Sequence, residues 1–91
     1  GGNFVLGKIQ PLPEMIGRDM AQLKFSQKYK VIVILMEYEG MQHTPLPTRP
    51  FEKGDRMWVL GHVEEMDKLI DKSDVSGLID MKEINLPGAP Q

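Results

Sequence analysis

Cysteine is missing from this 91-residue chain, and its absence removes disulfides, thiolate metal ligands and cysteine nucleophiles at once. Long apolar runs are missing as well. The longest, residues 31–36, has six members, whereas a membrane-spanning helix needs about 20. Direct membrane insertion is therefore not expected. Neither sign of charge dominates: 11 basic and 13 acidic side chains leave a net charge of -2, so no basic excess invites nucleic acid. No signal peptide, internal repeat or initiator Met is visible, which leads us to expect a piece of a larger protein, with Gly1 and Gly2 a cloning remnant. The lack of cysteine is compatible with the cytoplasm.

What remains is an ordinary globular composition, 41% hydrophobic and 26% charged, long enough for one domain that buries roughly 60 to 65% of its unfolded surface. Residues 3–9 alternate loosely and read as a first strand, ended by Pro11 and Pro13. Ile16, Met20 and Leu23 recur at i, i+4 and i+7, which predicts a short helix beginning near Gly17. "FSQKYK" follows as at most one helical turn, with Ser26 near its N-cap. Residues 31–37 form a strand whose unbroken β-branched start asks for cover on both faces. Glu39-Gly40 reads as a hairpin tip and residues 41–44 as a short return strand, limited by Pro45, Pro47 and Pro50. Gly54-Asp55 turns the chain into a strand over residues 56–60, with Trp58 central and at least half buried. Val63, Met66, Leu69 and Ile70 then describe an amphipathic helix with Glu64 and Glu65 at its start and Lys72 near its end. Beyond Ser73 the pattern fits either a strand or a partner-binding arm; Val75, Leu78 and Ile79 offer an intramolecular cover for the 31–36 run.

Chemistry-bearing groupings are few. Glu37, Glu39 and His43 flank the hairpin and read as its solvated rim rather than a metal site, since no second histidine lies near. His62 reads as a loop histidine, Asp55 as the cap of its own turn, and Asp19 with Lys24 or Glu64 with Lys68 as surface pairs. The seven methionines suit an irregular core. No nucleophile stands beside a base and no carboxylates pair in a cleft, so catalysis is not expected.

In order, "IGRDMAQLKFSQKYKVIVILMEYEG" and "PLPTRPFEKGDRMWVLGHVEEMDKL" resemble the TrkA-C domain, also called RCK-C, the regulatory module of potassium transporters, channels and other ion transporters. The matching features are Ile16-Gly17 ahead of the helix, Leu23 and Phe25 before the basic turn, the apolar strand ending at a Gly-containing hairpin, and Gly54-Asp55 before a strand closed by Gly61. The resemblance implies an α+β fold: a small mixed, mostly antiparallel four-stranded sheet with two helices on one face, in the order β-α-β-β-β-α, and dimeric. It implies a regulatory domain over residues 3–72 with a C-terminal extension over 73–91. It further implies a homodimer on the cytoplasmic side of a parent membrane transporter or channel, joined through the first helix and the turn of residues 23–31, that senses a small ligand. The alternative is a purely structural homodimerisation module. Some family members bind cyclic di-AMP through an arginine after the apolar residue of the turn and an asparagine opening the next strand, positions occupied here by Ser26 and Ile32. The expected pocket is bounded by Phe25, Ser26, Lys28, Tyr29, Val31 and Ile32 from both chains. Weak or absent cyclic di-AMP binding follows, because a lysine is a point charge where an arginine would fix phosphate geometry.

Overall fold

The computed structural model describes residues 3–73 and 75–80. Strand β1 (Phe4–Ile9) leads through a 3-10 turn (Pro13–Met15) to α1 (Met20–Leu23) and α2 (Phe25–Tyr29). Then come β2 (Ile32–Tyr38), β3 (Met41–His43), β4 (Arg56–His62), α3 (Val63–Ile70) and β5 (Val75–Asp80). The sheet order is β3-β2-β4-β1-β5 and every ladder is antiparallel; the parallel contact is an isolated bridge between Ile16 and Phe51.

This corrects the expected architecture. There are five strands and three α-helices among the described residues, not four and two. The fifth strand comes from the segment beyond Ser73, which pairs with β1. The third helix is α2, the "FSQKYK" segment, expected as no more than a single helical turn and formed here as a helix of its own. Asp19 caps α1 by accepting from the Gln22 amide at 2.7 Å, while the Gln22 side chain accepts from the Asp19 amide at 3.0 Å, a reciprocal capping box. Five residues after Asp19, Lys24 adopts a left-handed conformation, φ 49°, which ends α1 and restarts the chain as α2 with Lys24, not Ser26, at its N-cap. Ile16 never joins the helix; its backbone lies against Phe51.

The turn at Lys24 drives the Phe25 ring into the core, 4% exposed, where it meets Tyr29 and Phe51 at ring-centre distances of 4.8 and 5.7 Å. Helix α3 covers one face of the sheet with Met66 and Leu69. Gly7 makes room there: a Cβ on it would come within 2.9 Å of the Met66 Cε. Lys68 pairs with Glu65 at 3.4 Å, not with Glu64.

The 31–36 run proves to be alternating in space. Val31 and Met36 are buried, whereas Ile32 and Ile34 are 60% and 44% exposed. Val33 and Met36 pair with Val59 and Met57 on the helix-covered face; Ile32 and Leu35 pair with Leu60 and Trp58 on the other. A bulge between Val33 and Leu35 leaves Ile34 out of register with β4. Nor does the β5 segment cover this run, because β5 extends the sheet beyond β1, with β4 and β1 between it and β2. Trp58 is largely buried on the central strand β4, and Gly77 of β5 leaves space beside its ring, since a Cβ there would lie 3.2 Å from it.

Candidate functional site

An open groove of about 510 Å³ lies where α1 and α2 meet the start of β2, closed on its far side by Pro45 and Pro47. Its wall gathers Phe25, Ser26, Val31 and Ile32 from two elements that are consecutive in the chain. Two left-handed residues make that possible. Lys24 redirects the chain into α2, and Lys30, φ 59°, turns it into β2, so that α2 folds back over the strand's first residues. The Ala21 amide donates to the Pro47 carbonyl at 3.2 Å, which fixes the proline segment as the opposite wall.

The remaining two residues expected in this pocket lie elsewhere. Lys28 and Tyr29 line a separate groove of about 250 Å³ between α2 and α3. There the Tyr29 hydroxyl donates to Glu14 Oε2 at 2.9 Å and Lys28 Nζ pairs with the same oxygen at 2.9 Å. The Lys28 ammonium, with the Tyr29 hydroxyl, holds the Glu14 carboxyl below its usual range. The carboxylate in turn raises Lys28, and Tyr29 is raised chiefly by burial and then by Glu14. Both side chains are thus committed to Glu14. The cation that lines the larger groove is Lys24. Lys24, Gln27 and the proline wall were not legible as site residues, because their placement depends on a left-handed backbone at a lysine, which no local sequence rule requires.

Of the hairpin carboxylates, Glu37 is likewise occupied. Glu37 pairs with Lys8 at 2.6 Å and accepts from the Gln42 amide group at 3.2 Å, and the Lys8 ammonium holds its carboxyl below the usual range. His43 stacks on Tyr38. Among the described residues no three His, Asp or Glu side chains converge as metal ligands, and no helix is long and apolar enough to cross a membrane.

The model of the TrkA-C domain matches residues 8–73, most of the chain, from the end of β1 to just beyond α3. The chain belongs to the TrkA-C domain family. That family is regulatory. The TrkA-C fold seen here is similar to that of the regulator of conductance of K+ (RCK) C domain of the potassium transport protein KtrA, solved in complex with cyclic diadenosine monophosphate. The TM-score is 0.66 at 18% identity, covering 72% of this chain and 79% of that one. No curated protein matches the chain. Strand β5 lies beyond the matched residues of the TrkA-C domain.

Proposed function

We propose that this TrkA-C domain senses a small ligand, and in doing so regulates an ion-transport protein, potassium being the expected ion, of which it forms a cytoplasmic, homodimeric part at the inner face of the membrane. The observation that carries this reading is the groove. It brings Phe25, Ser26, Val31 and Ile32 onto one wall, with Lys24 as a cation and apolar surface from Met20 and the two prolines, a combination suited to a flat or apolar ligand bearing negative charge. The RCK C domain of KtrA, which shares the fold, holds cyclic di-AMP. Here the binding of that nucleotide is weak. Ser26 has no charge to offer a phosphate, Ile32 has no amide to offer a base edge, and of the lysines of the turn Lys28 is bound to Glu14.

Calorimetric titration with cyclic di-AMP tests the reading. The native chain binds weakly or not measurably, and the double variant Ser26→Arg, Ile32→Asn binds at least about tenfold more tightly, since one charge-assisted bidentate contact is worth about 1.5 to 3 kcal/mol. Nanomolar affinity of the native chain would overturn the argument from Ser26 and Ile32. A second reading, a structural homodimerisation module without a ligand, draws on the exposed Ile32 and Ile34; a dimer whose groove is filled by the partner's side chains would favour it.

A further inference from the structure

The proline wall of the groove is a short loop stapled at its base. Strand β3 ends at His43 and runs antiparallel to β2. The chain beyond it, residues 44–48, therefore returns toward the start of β2, where Pro45 and Pro47 line the groove with Val31, Ile32 and Val33. The two residues that bracket this loop, His43 and Arg49, both lie against Tyr38. The His43 ring stacks on the Tyr38 ring at 3.8 Å and 7°, and the Arg49 guanidinium carbon stands 3.6 Å from the centre of the same ring. Two groups so near one ring centre cannot share a face without overlapping, so Tyr38 is clasped from both sides. Tyr38 itself packs against the core, and Arg49 is held in turn by Asp55 through bonds of 2.7 and 3.2 Å. The clasp is thus tied to the body of the fold at two points. Between its ends the wall has fewer ties. Among the described residues the Ala21 amide donates to the Pro47 carbonyl at 3.2 Å, and the Arg49 amide closes a turn on the Leu46 carbonyl at 3.1 Å.

We propose that Tyr38 is a positioning residue of the groove, which it does not line: clasped between His43 and Arg49, it sets where the proline wall stands. Both ends of the wall meet one ring, so the ring's size and place fix both ends together. Stacking and cation–π attraction act at van der Waals distance and weaken steeply beyond it. With its ends closed the loop is ordered before a ligand arrives, and a ligand entering the groove spends little of its binding energy on ordering that wall. Without the ring the wall keeps its tie to Ala21 but loses the common anchor of its ends, and the ligand has to order it.

The positioning role rests on the groove being the sensing site, as proposed above, and adds what holds that site in shape. Calorimetry of the Ser26→Arg, Ile32→Asn chain with cyclic di-AMP is compared with the same chain carrying Tyr38→Phe, Tyr38→Leu or His43→Ala. Tyr38→Phe keeps both contacts and should hold the affinity within about twofold, whereas Tyr38→Leu should weaken it about three- to tenfold and His43→Ala, which removes one side of the clasp, by less. Amide spectra without ligand give a second readout. In Tyr38→Leu and His43→Ala the amides of Ala21, Thr44, Leu46 and Thr48 should move while those of α3 stay in place, which also shows that the fold is intact. His43→Ala carries the test should Tyr38→Leu fail to fold. Affinity unchanged in both variants, or lost equally in Tyr38→Phe, overturns the positioning role and leaves the sensing site standing. If the parent double variant binds no cyclic di-AMP, the sensing reading falls by itself and the ligand-free spectra decide: a wall displaced in both variants supports the clasp, and an unmoved wall overturns it.

Discussion

Arg49 is the residue on which the long connection between β3 and β4 depends. Its guanidinium carbon lies 3.6 Å from the centre of the Tyr38 ring, and His43 stacks on that ring at 3.8 Å and 7°. Arg49 also donates to both oxygens of Asp55, at 2.7 and 3.2 Å. Asp55 is 2% exposed and accepts from the Glu52 amide at 3.0 Å, so its carboxylate is fully engaged, and the Arg49 charge is stabilised in return. Asp55→Ala would leave the guanidinium only the exposed Glu52, 3.1 Å away, and strip the Glu52 amide of its acceptor; the expected loss is about 2 to 4 kcal/mol in urea denaturation. His43 presents the opposite case, since its Nε2 is buried without a hydrogen-bond partner. His43→Phe keeps the stack and removes the unsatisfied atom, so its melting temperature should equal or exceed that of the native chain, while His43→Ala should lose about 0.5 to 1.5 kcal/mol with the ring contact. Asp55 as a turn cap was legible from Gly54-Asp55. The role of Arg49 was not, because a stack and a fork across a proline-rich connection leave no periodic trace.

At the scale of elements, the strands and α3 were legible because each carries a period that burial enforces. The hairpin tip is the sharpest case: Glu39 and Gly40 both take positive φ, 55° and 71°, the pair of values a tight hairpin turn requires. The first helix misled because its apolar spacing is shared by a segment that bends. Leu23 is buried and Met20 packs against the core, but Ile16 is 41% exposed, because Gly17 at φ 82° and Lys24 break the axis between and after them. Strand β5 was ambiguous because Gly77 interrupts its apolar pattern, for a reason visible only beside Trp58. The junction of β2 and β4 gives a test at this scale. A Cβ on Gly61 would sit 2.6 Å from Val31 Cγ1 and 3.2 Å from its Cβ, and a β-branched side chain next to fixed backbone has little room to yield. Gly61→Ala should therefore cost about 1 to 3 kcal/mol. Gly7→Ala meets only the flexible end of Met66 and should cost distinctly less; chemical denaturation of the two variants side by side gives the ranking.

For the whole molecule, two surface ion pairs contribute to the loss of stability in acid. The Glu14 and Glu37 carboxyls are both held below the ordinary carboxylate range, by Lys28 and Lys8 in turn. The unfolded chain therefore takes up protons first as pH falls. The stability these groups supply is complete above the ordinary carboxylate range and is lost as pH drops through the lower folded values. Thermal melts across acid pH should show this decline, and the variant Glu14→Gln, Glu37→Gln should show a shallower one; equal slopes would contradict the assignment. The far side of the sheet, where Ile32, Leu60, Leu6 and Ile79 align across four strands, carries no helix among the described residues.

The central claim is that the groove between α1, α2 and the start of β2 is the sensing site, and amide chemical-shift mapping tests it most directly. The Ser26→Arg, Ile32→Asn variant, titrated with cyclic di-AMP, should show its largest shifts in residues 20–33 and around Pro45 and Pro47. Shifts centred instead on Glu14 and Lys72, or a spectrum that does not respond at all, would contradict the account.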